Sequence, residues 1–231
     1  DRQAHRGPDE EDYWETNLRG MSVCLGFRRL IVIDPRGGLQ PMSTEDRHLT
    51  VVFNGEIYNH RELRRELESL GHDFRSDHSD TEVLLHGYRQ WGRDLPRHLK
   101  GMFAFALVDT VKSCVFLARD RLGKKPLFLA RFEWGFAFAS ELTALLAHSA
   151  IPATVDRESV VRYLALGYVP PPKTLFAGVQ KLGAGECAIY DLGSRRLDIA
   201  TYWAPTIGQT HRASDMAQSA AQLLKLLNQA V

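Results

Sequence analysis

The sequence has little that would tie it to an oxidising compartment, a membrane or a polyelectrolyte. It carries only three cysteines, Cys24, Cys114 and Cys187, far apart and odd in number. They form no CxxC or metal-ligand spacing, so a reducing, cytoplasmic setting is the default expectation. No apolar run is long enough to span a bilayer, and no signal peptide is expected from these residues. Neither charge sign is in surplus, with 29 Lys+Arg against 28 Asp+Glu. Nucleic acid and membrane are therefore not indicated as partners, and no like-charge block marks a tail. No internal repeat is visible. Residue 1 is Asp rather than a translation start, so an upstream segment is expected to have been removed or left out.

What is present organises itself around residues 51–59. The apolar run Leu49–Phe53 reads as a buried strand that stops at Asn54-Gly55. Asn-Gly is a strong turn signal, because both residues tolerate positive φ. A strand ending in Asn54-Gly55-Glu56 at a sheet rim also presents a carboxamide, a backbone N–H and a carboxylate together. That trio suits a developing oxyanion and a small polar substrate. On these residues alone, a hairpin turn with a solvated Glu56 is the favoured reading.

The 231 residues, 44% of them hydrophobic, are long for one domain and short for two. After a polar, charged stretch through Glu15, residues Met21–Phe27 and Leu30–Ile33 read as strands, and Gln40-Pro41-Met42 as a loop. His60–Leu70 is a helix with Asn59 as cap and Glu62 completing a capping box. Leu63, Leu67 and Leu70 form its apolar stripe, and Gly71 stops it. Ser79-Asp80-Thr81-Glu82 is a second capping-box pattern, opening a helix towards Trp91. Short strands follow at Phe103–Val108, Cys114–Ala118, Leu127–Ala130 and Phe136–Ala139, as in an antiparallel meander. Helices are predicted at Glu141–Ala147 and, capped by Asp156, at Arg157–Leu166. Strands near Glu186–Tyr190 and Leu197–Tyr202 complete the set. The order of elements predicts an α+β fold with two largely antiparallel sheets packed face to face.

Seven motifs occur in register. They are His5-Arg6-Gly7-Pro8-Asp9, Arg29-Leu30-Ile31-Val32-Ile33-Asp34, Asn54-Gly55-Glu56-Ile57-Tyr58-Asn59 and Ser79-Asp80-Thr81-Glu82-Val83, then Gly101-Met102-Phe103-Ala104-Phe105-Ala106, Arg119–Leu127 and Phe138-Ala139-Ser140-Glu141. Together they resemble the glutaminase domain of glutamine-hydrolysing asparagine synthetases, which are class II glutamine amidotransferases. The resemblance implies a four-layer αββα sandwich of the N-terminal-nucleophile hydrolase type, two antiparallel sheets between helices. It places this domain at residues 1–205, and at 206–231 a linker and the first helix of an ATP-dependent synthetase domain.

By the same resemblance, an N-terminal cysteine attacks the side-chain amide of glutamine, with its own α-amine as general base. Ammonia then passes to the synthetase domain of the same polypeptide, where ATP and Mg activate a carboxylate such as aspartate. No cofactor is implied for the glutaminase domain itself, and a homodimer is left open. Arg29 is the implied ligand of the glutamine α-carboxylate, since its fork suits bidentate recognition. Asp80 is implied for the α-ammonium, Asn54 and Gly55 for the oxyanion hole, and Glu56 for positioning. Backbone groups of Leu30, Ile31, Val32 and Ile33 would line the pocket. His5 and Asp9 read as loop organisers.

The nucleophile itself is not among these residues. Asp1 has no thiol or hydroxyl, and Cys24 sits mid-strand without a free α-amine, with an ordinary core explanation. Cys114 and Cys187 are no better placed. Two readings stand: a piece of an amidotransferase whose cysteine lies upstream, and inactive by itself, or a cysteine-less module that binds glutamine or a partner domain. A sugar-phosphate or phosphoribosyl partner domain is disfavoured by the wording of the motifs.

Overall fold

The computed structural model describes residues 2–29, 39–206 and 216–230. The first elements are strands β1 (Glu10–Leu18) and β2 (Met21–Arg29), which pair antiparallel along their whole length. Arg19 and Gly20 join them with φ of 52° and 76°, the paired positive values of a two-residue hairpin turn. The stretch expected to be a charged loop through Glu15 is therefore a strand. Tyr13, Trp14 and Thr16 favour a strand, but the five acidic or amide residues among them do not, and pairing with β2 supplies what propensity leaves undecided.

Next come β3 (Met42–Ser43), β4 (Leu49–Ile57), α1 (His60–Ser69), α2 (Asp80–Trp91), the single turn α3 (Leu95–His98), β5 (Gly101–Asp109) and β6 (Cys114–Arg119). They are followed by β7 (Phe128–Phe132), β8 (Gly135–Ala139), α4 (Leu142–Leu145), α5 (Arg157–Leu166), β9 (Val179–Lys181), β10 (Glu186–Asp191), β11 (Arg196–Thr201) and α6 (Met216–Ala230). The main sheet has six strands in the order β11-β10-β6-β5-β4-β3, and a smaller one runs β8-β7-β9. All pairings are antiparallel. The expected meander is thus divided: β5-β6 stay together in the main sheet, while β7-β8 belong to the smaller one. The Leu30–Ile33 strand, and all but the first residue of the predicted linker, lie outside the described residues.

The two-residue period of β4 sorts its side chains between two cores. Leu49, Val51, Phe53 and Ile57 face α1 and α2, packing with Leu63, Leu67, Val83, Leu84 and Tyr88. Val52 faces the opposite way, with Ala104, Ala106 and Leu117, towards Val23 and Leu25 of β2 and Leu129 of β7. A third cluster lies outside β7 and β9, where Leu145 of α4 covers Ala130 and Val179. The layers are helices, the six-stranded sheet, the hairpin with the β8-β7-β9 sheet, and helix again. This is the four-layer α+β sandwich.

Both capping boxes turn out otherwise. Asn59 makes no side-chain cap. Its carboxamide instead accepts from Lys100 N at 2.8 Å and donates to His98 O at 3.0 Å, tying the start of α1 to the entry of β5. Ser79 makes no cap either, and Glu82 turns back to the preceding loop. Capping boxes are local, and here longer-range backbone groups won the same side chains. Leu70 is exposed rather than part of the α1 stripe. The Asp156 cap of α5 forms as expected, accepting from Glu158 N at 3.1 Å. That helix ends at Gly167, in the left-handed region.

Candidate functional site

Strand β4 does not stop at Asn54. It runs on to Ile57, with Asn54 opposite Ala104, Gly55 opposite Phe103 and Glu56 opposite Met102. The hairpin-turn reading of Asn54-Gly55 is therefore wrong. Gly55 has φ +153°, and a Cβ there would lie 2.1 Å from Met102 O and 2.7 Å from Phe103 Cα. Gly101 mirrors it, with φ +156° and a Cβ that would lie 2.1 Å from Glu56 O. The two strands approach too closely here for a side chain on either glycine.

Hydrogen-bond parity decides which backbone groups this stretch leaves open. Phe103 is bonded on its β6 side, accepting from Asp120 N at 2.8 Å and donating to Asp120 Oδ2 at 3.2 Å. Its partner Gly55 is thus a non-hydrogen-bonded position relative to β5. The N–H groups of Phe53, Gly55 and Ile57 all point to the opposite edge, beyond the end of β3. Phe53 N donates to Gln40 Oε1 at 2.6 Å, and Ile57 N donates to Asp80 Oδ2 at 3.0 Å. Between them, Gly55 N–H has no partner among the described residues. The half-buried Asn54 carboxamide beside it likewise makes no hydrogen bond among those residues.

The other residues named from sequence can be placed around this edge. Asn54 and Glu56 share the face of Val52, which packs on β2. Arg29 continues the inward face of Val23, Leu25 and Phe27 into the same interlayer space. It is 8% exposed, and its Nη1 donates to Glu10 Oε2 at 3.2 Å across the hairpin. Asp80, at the first position of α2, touches β4 through Ile57. Burial pushes its carboxyl above the usual range; the Ile57 N–H and His60 oppose this, and Glu56 adds to it. Two carboxylates near one another, one reluctant to ionise, make a place where a bound cation would be welcome. Leu30, Ile31, Val32 and Ile33 lie outside the described residues.

Neighbouring motifs brace the site rather than enter it. Gly7 abuts β2 so closely that a Cβ would lie 2.4 Å from Arg29 N. His5 and Arg6 both reach Glu141 Oε1, at 3.1 and 3.3 Å, joining the first and last motifs. The Asp120 carboxylate is 1% exposed and accepts from the N–H groups of Phe103, Leu122, Lys124 and Lys125. Arg119 donates to the carbonyls of Gly123, Lys125 and Leu182. This clamp holds β5 where it meets Gly55.

Glu82 secures the loop leading to Asp80. It accepts from Arg75 N at 2.8 Å, from Ser76 N at 2.9 Å and from the Ser76 hydroxyl, and His86 Nε2 lies 3.6 Å away. Desolvation alone would raise its pKa, but His86, Ser76 and the backbone N–H groups outweigh it and hold the carboxyl at about 2. A depressed carboxyl stabilises the fold above its unfolded pKa near 4.5, and that contribution is lost as pH falls towards about 2. Glu82→Gln is expected to lower unfolding free energy by about 2–3 kcal/mol at pH 7. The deficit should shrink between pH 4 and pH 2 in urea titrations; a deficit independent of pH would show that the charge is not what matters.

Sequence reasoning missed two groups at this edge. Both Glu10 and Gln40 read as loop residues in the sequence. Neither carries a local signal, because their partners lie 19 and 13 residues away.

A family model described as a glutamine amidotransferase domain matches residues 1–203. Asparagine synthetase [glutamine-hydrolyzing] 3 of Bacillus subtilis (strain 168) is 40% identical over 203 residues, covering 87% of this chain and 32% of the relative. Asparagine synthetase [glutamine-hydrolyzing] 1 of the same organism is 41% identical, covering 79% of this chain and 28% of the relative. The chain spans about one third of the length of these curated relatives. Among solved structures, glutamine phosphoribosylpyrophosphate amidotransferase from B. subtilis is similar in fold, with a TM-score of 0.53 at 20% identity. The match covers 79% of this chain and 35% of that one.

Proposed function

Because this chain belongs to the glutamine amidotransferase domain family, we propose that its open β4 edge is where the side-chain amide of glutamine is hydrolysed. The observation that carries this is the Gly55 N–H, which among the described residues has no partner, is flanked by two occupied N–H groups and adjoins an Asn54 carboxamide that is unbonded among the same residues. As a nucleophile adds to the amide carbon, charge develops on the amide oxygen. Asn54 Nδ2 and Gly55 N–H are two donors without another partner among the described residues, and both can meet it. Arg29 takes the α-carboxylate, exchanging or sharing the carboxylate that Glu10 now offers it. Asp80 takes the α-ammonium, and Glu56 adds negative charge nearby. An ammonium at this point relieves the repulsion and desolvation that push Asp80 upwards.

The nucleophile in this proposal is a cysteine upstream of Asp1, because the three cysteines in the sequence do not suit the role. Cys24 is exposed, on the face of β2 opposite to Arg29, and its thiol is pushed up by desolvation and by Glu15 across the hairpin. Cys114 is buried and pairs with Asp109, itself opposite Leu49, about 17 Å along β4 from Asn54. Cys187 is buried three strands away from β4, about 14 Å across the sheet. Both buried thiols are pushed up by desolvation, which leaves less thiolate. The chain by itself is then inactive.

In the whole protein, ammonia released here is passed to an ATP- and Mg-dependent synthetase domain that amidates aspartate or another carboxylate. The likeness to glutamine-hydrolysing asparagine synthetases supports that reading. Residues 206–231 are proposed as the link and first helix of that domain. Leu223, Leu224, Leu226 and Leu227 of α6 are exposed, a face that a further domain would cover. Among the described residues no helix is long and apolar enough to cross a membrane.

Asp80→Asn in the full-length protein tests the ammonium assignment. Asn keeps an acceptor for Ile57 N but loses the charge-assisted bond, so the KM for glutamine should rise about 10- to 100-fold. The stability effect has the opposite sign from the usual acidic residue. A carboxyl raised in the folded state contributes stability below its unfolded pKa of 3.8, and this is lost as pH rises through the folded value. At pH 7 the variant should therefore melt no lower than wild type. A lower melting temperature with unchanged KM would make Asp80 a structural residue only.

A further inference from the structure

We infer that Gln40 is a positioning residue that sets the register in which a substrate carboxamide binds the β4 edge, by occupying the N–H of Phe53. The inference rests on the glutamine-hydrolysing reading and extends it to a residue outside the seven motifs. Along a strand edge the N–H groups of residues i, i+2 and i+4 are chemically alike and repeat about every 7 Å. A carboxamide oxygen has no intrinsic reason to prefer Gly55 N–H over Phe53 N–H. At Gly55 the proposed second donor is the side chain of Asn54, the residue just before it. A substrate held one repeat away, at Phe53, would be bound but displaced from that donor pair and unreactive.

The edge removes this alternative by filling it. Gln40 Oε1 takes the Phe53 N–H at 2.6 Å, and Asp80 Oδ2 takes the Ile57 N–H at 3.0 Å. The group at Phe53 is itself a primary carboxamide on a glutamine side chain. It is the same functional group as the side-chain amide of the proposed substrate. Gln40 is held from its other end, where Nε2 lies 3.5 Å from Thr81 Oγ1 in the first turn of α2. Thr81 is buried, so this anchor does not move with solvent. Gln40 also lines a small cavity with Glu10 and Phe27, on the Arg29 side of the site. It thus stands between the residues assigned to the α-carboxylate and those assigned to the α-ammonium, at the position a misregistered carboxamide would take.

Unproductive binding has a kinetic signature that loss of support does not share. When a substrate gains a second, unreactive mode, kcat and KM fall by the same factor while kcat/KM stays constant. The test is steady-state glutamine hydrolysis by the full-length protein carrying Gln40→Met, which keeps length but has no carboxamide. Gln40→Asn is read in parallel, because it stays polar while withdrawing the carboxamide by one methylene. Both variants are expected to lower kcat and KM together by about three- to tenfold, the worth of one ordinary hydrogen bond. The ratio kcat/KM should remain within about twofold of wild type, inside the spread of such comparisons. A raised KM, a kcat lowered at constant KM, or wild-type constants would each overturn the inference. If the unsubstituted protein releases no ammonia from glutamine, the proposed function falls and takes this inference with it. If it does release ammonia and only the variants behave otherwise, the function stands and the register role of Gln40 does not.

Discussion

Asn54→Ala in the full-length protein is expected to reduce glutamine-dependent product formation by about 10²–10³ in kcat. Synthesis from added ammonium salt should stay near wild type. The Asn54 carboxamide has no hydrogen bond among the described residues, so its loss orphans no described partner. It faces the interlayer side of β4 with Glu56, away from the helix-packed core that Phe53 and Ile57 enter. Folding should therefore be little affected, and the deficit should fall on the step in which charge builds on the amide oxygen. The two activities are compared at matched ATP and acceptor. Parallel loss of both would mean that Asn54 supports the fold or a domain contact. Loss of neither would remove it from the oxyanion site.

Gly55→Ala is expected to be the most damaging substitution to stability. The new Cβ would lie 2.1 Å from Met102 O and 2.7 Å from Phe103 Cα, both backbone atoms of the paired strand. Neither can turn aside like a side chain, and Phe103 is further pinned by Asp120 on its other edge. Adding the positive φ, the cost should exceed about 3 kcal/mol, or a fall of roughly 6–12 °C in Tm. Gly101→Ala should match it, because its Cβ would lie 2.1 Å from Glu56 O. Gly20→Ala is the control: φ is +76° but nothing lies within 4 Å, so only the backbone strain of about 1 kcal/mol applies. Equal melting temperatures for the Gly55 and Gly20 variants would mean that β4 and β5 can separate freely at the site.

The contrast between these glycines shows where local reading fails. Asn-Gly is a turn signal because both residues accept positive φ, and Gly55 does have positive φ. The chain uses that freedom for close approach to Met102 instead of for reversal. Nothing in residues 51–59 distinguishes the two uses, since the deciding atoms are on β5. The capping boxes failed for the same reason: Asn59 and Glu82 found backbone partners at His98, Lys100, Arg75 and Ser76. Elements defined by their own periodicity came through. Helices α1, α2 and α5, strands β2, β5 and β6, and the Asp156 cap all lie close to where apolar spacing and stop signals put them.

By itself the sequence determined the layers and the chemistry on offer. Near-continuous apolar runs in β4 and β5 require cover on both faces, and Leu63, Leu67, Val83 and Leu84 supply it on one side. The motifs named Arg29, Asn54, Gly55, Glu56 and Asp80, because residue type and short-range order survive in a linear string. Tertiary structure decided which donors are open. That depends on the pairing parity of β4 with β5, on β3 ending early, and on Gln40 and Asp80 arriving from separate segments to fill the N–H groups of Phe53 and Ile57. Hydrogen-bond parity is a property of two strands in register, so no window of sequence contains it. The availability of Gly55 N–H is therefore a consequence of assembly, although the glycine that makes it approachable is written in the chain.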